Sequence, residues 1–191
     1  MSRPVEFERA TALAAALKLF WGRGYQATSL SDLVAAMGIS RSSFYAAFGD
    51  KAALFRECLD LFAERSIGLL SRAREERPPL EALRSFFTFS LDQAEGEEGA
   101  WGCLIVNSVL ELAEVDPDLW AHARLRLAEV EAAFEACLAD TGCGPQKATD
   151  LASFLMLLNE GMRVSARRAL PVAAQRHQID TTFQLLATAL A

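Results

Sequence analysis

Two short stretches of helical period meet at Gly38-Ile39-Ser40, and that joint constrains the fold of this chain more than any other feature. The first opens at Ser29, where Asp32 three residues on completes a capping-box pattern, and it carries Leu30, Leu33, Val34 and Met37 on one side. The second is capped by Ser40, runs from Arg41 to about Ala47, and turns Phe44 and Phe48 inward. A tight turn at Gly38 lets the second helix leave at a steep angle, the geometry of a helix-turn-helix. A preceding helix from about Val5 to Trp21 places Leu13, Leu17 and Phe20 on one stripe and ends at Gly22 and Gly24. Leu17, Phe20, Leu30, Leu33, Ile39, Phe44 and Phe48 then form one small core for a three-helix head.

The same period continues to the end of the chain. Asp50 caps a helix from Lys51 to roughly Arg74, and Pro78-Pro79 leads to another near Leu80–Ala94. Glu95-Gly96-Glu97-Glu98-Gly99 reads as a solvated loop. Further helices are expected near Trp101–Ala113, Pro117–Asp140, Pro145–Arg168 and Ala173–Leu190, with joints at Gly142-Cys143-Gly144-Pro145 and Pro171. No stretch alternates apolar and polar residues for long, and there is no internal repeat. The fold class is all-α, about nine helices: a helix-turn-helix domain over 1–50 and a six-helix effector-binding and dimerisation domain over 51–191.

Charge separates these two parts. Of 191 residues, 19 are Lys or Arg and 25 Asp or Glu, a net −6 that argues against a surface coated in nucleic acid. Residues 1–51 hold six basic against four acidic side chains, and 52–191 thirteen against twenty-one. A basic head on an acidic body permits one localised anionic partner. No apolar run approaches the ~20 residues that span a bilayer, and Met-Ser-Arg-Pro-Val-Glu-Phe-Glu holds no hydrophobic signal region, so the expected location is the cytoplasm. There Cys58, Cys103, Cys137 and Cys143 are expected as reduced thiols. Their spacing and that of His122 and His177 match no zinc pattern, so neither a metal nor a cofactor is expected. With no phosphate loop, metalloprotease helix or nucleophile elbow, the chain does not read as an enzyme. A helical small-molecule carrier that never touches DNA is the rival reading, and the head speaks against it.

The second short helix leaves small polar residues outward: Ser40, Arg41, Ser42 and Ser43, then Tyr45, Ala46 and Ala47. Small side chains let a helix enter a major groove, where Arg41 can fork onto a guanine edge. Tyr45, the serine hydroxyls, the helix N-terminal amides and Lys51 suit phosphate oxygens. Ser29, Ser40 and Asp50 read first as caps, and a cap can also touch phosphate. Lys51 opens a helix, where the dipole disfavours a cation, and that misfit points to a phosphate partner.

Residues 16–30 (Ala-Leu-Lys-Leu-Phe-Trp-Gly-Arg-Gly-Tyr-Gln-Ala-Thr-Ser-Leu), 38–45 (Gly-Ile-Ser-Arg-Ser-Ser-Phe-Tyr) and 48–55 (Phe-Gly-Asp-Lys-Ala-Ala-Leu-Phe) resemble, in order and over about Ala10 to Phe62, the TetR/AcrR family of bacterial transcriptional regulators. The resemblance implies ligand-responsive DNA binding, usually repression, by an all-helical homodimer on a near-palindromic operator. It places the DNA-reading helix on Arg41–Ala47, a phosphate-contacting tyrosine on Tyr45, a lysine after that helix on Lys51, and further backbone contacts on Ser29 and Ser43. Arg41, Ser42, Ala46 and Ala47 fall on variable positions, so no operator sequence follows.

In the body, Ile179, Phe183, Leu186 and Leu190 form a continuous stripe on the last helix, and Leu151, Phe154, Leu155, Leu158 and Met162 one on the helix before it. Either stripe could be ordinary core. The resemblance implies a four-helix dimer interface here, with Leu155, Met162, Ile179, Phe183, Leu186 and Leu190 as its expected members. The expected effector pocket draws on Phe86, Phe89, Trp101, Trp120, Phe134 and Phe154, with Asn107, Asn159 and Arg163 as polar members inside apolar stretches. Cys103 carries two readings. At a helix start its thiolate is favoured, and the Gly-Cys opening resembles a subgroup that includes electrophile and oxidant sensors; it also reads as a small buried residue beside Trp101, with acidic Glu97 and Glu98 opposing ionisation.

Overall fold

The computed structural model describes residues 8–92 and 101–190, which form nine helices and no strand. Three make the head, α1 (Arg9–Arg23), α2 (Leu30–Met37) and α3 (Arg41–Phe48). Six make the body: α4 (Lys51–Glu76), α5 (Pro79–Asp92), α6 (Leu104–Leu112), α7 (Pro117–Ala139), α8 (Pro145–Arg167) and α9 (Val172–Leu190). The all-α reading holds. The first helix, expected from Val5, opens at Arg9 after Glu8, whose carboxylate accepts the Thr11 N–H; residues 1–7 lie outside the described set. The loop expected at Glu95–Gly99 also lies outside it. α6 starts at Leu104 rather than Trp101, because Gly102 turns the chain with φ of 75° and Cys103 takes the extended N-cap position.

The helix-turn-helix joint is built by hydrogen bonds that the sequence supplies. Ser29 and Asp32 close a reciprocal capping box at the start of α2. At its end Gly38 sits in the left-handed region (φ 67°), its N–H bonded to Ala35 O while Ile39 N–H reaches Val34 O. That pair is a Schellman closure, and only glycine enters it without a Cβ penalty. Ile39 is buried beneath the turn, and Ser40 caps α3 by accepting the Ser43 N–H. Leu17, Phe20, Leu33, Ile39, Phe44 and Phe48 are buried as read from the sequence, whereas Leu30 is only half-buried.

The head's core does not stop at residue 50. Phe20 meets Phe55 edge-on at 4.8 Å, Tyr25 packs on Phe55 at 4.9 Å, and Leu54, Phe55 and Cys58 are fully buried. The first turns of α4 therefore complete the head, and its later residues Leu70 and Ala73 belong to the body's core. A second aromatic centre closes the far end: Phe134 of α7 meets Phe86 and Phe87 of α5 at 5.0 and 5.6 Å, and Phe87 reaches Phe183 of α9 at 5.8 Å. Burying each such ring contributes roughly 1.5–3 kcal/mol. α4 thus contributes buried residues to the head at its start and to the body further along.

The stripes read as a dimer surface need correcting. Leu155, Met162, Ile179, Phe183 and Leu186 are buried within the chain itself, and Leu190 is half-buried. A helix that packs on its own subunit and also carries apolar residues outward has two apolar sides, and the longer stripe is the inward one. The outward large apolar residues of α8 and α9 among the described residues are Phe154, Leu157, Val164, Val172 and Leu185, with Leu157 65% and Leu185 64% exposed. Among the described residues no helix is long and apolar enough to cross a membrane.

Candidate nucleic-acid interface and adjoining cavity

α3 is anchored by what it buries and leaves its remaining surface bare. Phe44 and Phe48 hold it to the core, with Tyr45 edge-on to Phe44 at 5.5 Å yet 54% exposed. Ser40, Arg41, Ser42 and Ala46 are exposed, and Ser43 is half-buried. The Ser40 hydroxyl lies 2.8 Å from that of Ser42 and 2.9 Å from that of Ser43, so three hydroxyls crowd the helix start beside its free amides. Arg41 does not project freely: its guanidinium donates to Ser31 Oγ at 2.9 Å, tying α3 to α2. Ser29 is exposed and fully engaged in its cap.

Lys51 also differs from the expectation. Its ammonium sits 4.3 Å from the centre of the Tyr25 ring, a cation–π contact that answers the dipole misfit within the chain. Burial pushes its pKa down, while the carboxylate of Glu111 pulls it up. Asp50 caps α4 by accepting the Ala53 N–H at 2.8 Å.

The structure places a second feature directly behind the head. A cavity of about 790 Å³ lies where the end of α1 meets α6, α7 and α8, within the size range of small-molecule sites. Trp21, Leu104, Leu110, Leu127, Leu157 and Val164 are among its apolar lining, and Arg23, Asn107, Ser108, Glu111 and Glu160 are its polar residues among those described. Two contacts tie its walls to the head. The Trp21 indole N–H donates to Gly102 O at 2.7 Å, and the Glu111 carboxylate accepts the N–H groups of Tyr25 and Gln26 at 3.0 and 2.7 Å. Gly24 makes the second contact possible. Its φ of 87° and ψ of 171° are nearly exclusive to glycine, and a Cβ there would lie 2.8 Å from Glu111 Oε2.

Of the described residues read as an effector pocket, only Asn107 lines this cavity, and its amide already donates to Trp101 O at 2.7 Å. Phe86 and Phe134 are packed on each other in the core. Phe89 and Phe154 are exposed outward. Trp101 packs edge-on against Trp21 at 5.7 Å, close over Gly22, behind the cavity rather than in its wall. Trp120 lies under the Arg124 guanidinium at 4.6 Å. Asn159 is buried with its amide 3.6 Å from Met156 Sδ, and the side chain of Arg163 lies outside the described set. Cys103 is buried at the N-cap of α6 and makes no side-chain cap hydrogen bond. Burial pushes the Cys58 thiol far up and that of Cys137 up to about 11. Neither Glu111 nor Glu160 was legible in the sequence, where Gly22 and Gly24 read only as the end of a helix.

The head and body match known proteins separately and together. Residues 12–58 fit the model of the bacterial regulatory proteins of the tetR family, and residues 79–170 that of the LmrA/YxaF-like transcriptional regulator C-terminal domain. The chain is 31% identical over 190 residues to the HTH-type transcriptional repressor ComR of Escherichia coli, covering 96% of this chain and 90% of that protein. It is 32% identical over 135 residues to the transcriptional regulator YezE of Bacillus subtilis, covering 70% of each. A cysteine variant of the TetR family regulator CifR, solved with a 26-base-pair operator, superposes with a TM-score of 0.76 at 28% identity, covering 95% of this chain and 98% of that one. A TetR regulator from Legionella pneumophila has the same fold, with a TM-score of 0.80 at 21% identity over 94% and 99% of the two chains.

Proposed function

Since the chain belongs to the TetR family of bacterial regulatory proteins, we propose that it is a repressor that binds a near-palindromic operator as a homodimer and is released by a small-molecule effector. The observation that carries this reading is the surface of α3: small, polar and exposed on a buried phenylalanine base, with Ser40, Arg41, Ser42, Ser43 and Tyr45 along it. Arg41 would exchange its Ser31 hydroxyl for a base edge, and Tyr45, Lys51, Ser29 and Ser43 would hold phosphates. CifR, a relative solved on its operator, supports the DNA partner.

Two heads on one duplex require a two-fold axis and a spacing near one helical turn of DNA. The exposed apolar residues Phe154 and Leu185 supply the face on which a second copy would pack, and Leu157 and Val164 lie where that face meets the rim of the cavity. The functional division runs at the start of α4, with residues 1–50 and Lys51 meeting DNA and the rest of 51–191 taking the effector and the partner copy. Such a regulator works in the cytoplasm. The effector enters the cavity behind the head and selects a state with the wrong head separation. Cys103 offers an electrophile or oxidant a second route. Its buried thiol adjoins Gly102, whose carbonyl holds the Trp21 indole, so an adduct there would press on the same joint.

Fluorescence anisotropy on duplexes from the flanks of the protein's own gene tests this. Log affinity should fall against log salt with a slope of about −0.9 per phosphate contacted. Arg41→Ala should lose about 1–3 kcal/mol of discrimination at one base pair, while Lys51→Ala should weaken all duplexes alike. Wild-type binding by both variants would refute the docking. Loss of binding on mild thiol oxidation in wild type but not in Cys103→Ser would assign the switch to that thiol.

A further inference from the structure

We propose that the cavity behind the head is a site for an organic cation with an apolar body, which signals by drawing the Glu111 carboxylate away from the backbone of Tyr25 and Gln26. The proposal rests on the regulatory reading above and names the ligand class of that cavity. Among the described residues its lining is apolar over Trp21, Leu127 and Leu157 but carries two carboxylates, Glu111 and Glu160, against the one guanidinium of Arg23. That guanidinium lies 3.6 Å from Asp32 on α2, so its charge is already shared with the head. A neutral ligand gains only burial here. An anion meets two carboxylates across a groove that opens to solvent along Leu110, Leu157 and Val164, whereas an ammonium gains a partly screened Coulomb attraction there.

Glu111 links occupancy to the head because one carboxylate serves both. Its two oxygens accept the Tyr25 and Gln26 amides, and its charge supports the Lys51 ammonium, which in turn rests on the Tyr25 ring. Charge-assisted acceptance is stronger than a neutral hydrogen bond, but a ligand cation competes for the same oxygens. When it wins, the amides of the turn after α1 lose their acceptor, and Tyr25 and Lys51, which that turn positions, lose their register. The wall of the cavity is thus also the anchor of a residue assigned to a phosphate.

The test uses the full chain and three probes of one shape: 1-naphthylmethylammonium, 1-naphthylmethanol and 1-naphthoate. Calorimetry should show the ammonium binding about tenfold tighter than the alcohol, with the carboxylate weakest. Glu160→Gln keeps the head contact intact and should erase most of that preference; Glu111→Gln is expected to do the same and to loosen the head as well. Hydrogen exchange by mass spectrometry on the segment 22–27 should show faster exchange of the Tyr25 and Gln26 amides with the ammonium bound, and no change with the alcohol. Equal affinity for ammonium and alcohol, or a preference that survives Glu160→Gln, overturns the ligand class. Saturating ammonium with unchanged exchange at Tyr25 and Gln26 overturns the signal. Neither readout involves DNA, so a failure of operator binding would count against the regulatory reading alone.

Discussion

Replacing Gly24 by alanine tests the joint between head and body with a magnitude the geometry supplies. The backbone at Gly24, φ 87° and ψ 171°, lies in a region nearly closed to other residues, and holding alanine there costs about 2–3 kcal/mol. The new Cβ also falls 2.8 Å from Glu111 Oε2 and 3.1 Å from its Cδ, so the carboxylate must withdraw. Withdrawal sacrifices at least one charge-assisted bond to the Tyr25 or Gln26 amide, worth about 1.5 kcal/mol. The total is about 4 kcal/mol, or roughly 8–16 °C in Tm for a chain of this size. Gly38 supplies the control. Its φ of 67° is left-handed but a Cβ there meets nothing within 4 Å, so Gly38→Ala should cost only about 1–2 kcal/mol. Urea unfolding followed by helical circular dichroism measures both. In a Glu111→Ala background the Gly24→Ala penalty should shrink to its backbone part, leaving a coupling of about 1.5 kcal/mol. Equal losses for the two glycine variants, or no relief on removing Glu111, would refute the reasoning.

Phe134→Ala should cost about 3–5 kcal/mol by urea unfolding, because it empties the space shared with Phe86 and Phe87; a loss below 1 kcal/mol would mean that centre collapses freely. Leu157→Asp and Leu185→Asp, on the outward faces of α8 and α9, should keep wild-type helicity but halve the mass seen by sedimentation, while Leu155→Asp should unfold the chain by burying a charge. A Leu157→Asp protein that stays dimeric would move the interface elsewhere. With folded-state thiol pKa values raised by burial, to about 11 at Cys137 from an ordinary 9.0 and further at Cys58, stability is full below about pH 9 and declines as pH rises through the folded value. A Cys58→Ala/Cys137→Ala variant should flatten that decline, and an unchanged alkaline profile would contradict it. In the native protein the half-buried Cys143 should react first with a thiol reagent.

Local chemistry explains what was legible without coordinates. Ser29 with Asp32, Gly38 before Ile39, and Ser40 before α3 specify the helix-turn-helix because each bond joins residues within five positions of one another. The same holds for the helical boundaries, since glycine, proline and capping residues act on their own neighbours. The outward residues of α3 could be named because an eight-residue helix anchored by Phe44 and Phe48 has only one other side.

Tertiary structure alone decided the rest. Which side of α8 and α9 faces inward depends on what packs against them: α5 takes Phe183 of α9 through Phe87 and leaves Leu185 outside, α7 packs on α8 and leaves Leu157 exposed, and a stripe in sequence does not say which of two apolar faces is which. Two of the aromatic residues read as a pocket became core because Phe86 and Phe134, 48 positions apart, fill each other's space. Glu111 was unreadable for the same reason. Nothing near it in sequence marks it, and its partners at Tyr25 and Gln26 lie 86 and 85 residues away. The sequence by itself determined the helices and the DNA-reading surface, because those follow from bonds and periodicities a few residues long. The cavity, the outward faces and the joint that connects them to the head were decided by long-range packing, where the partner of a side chain is set by the path of the whole chain.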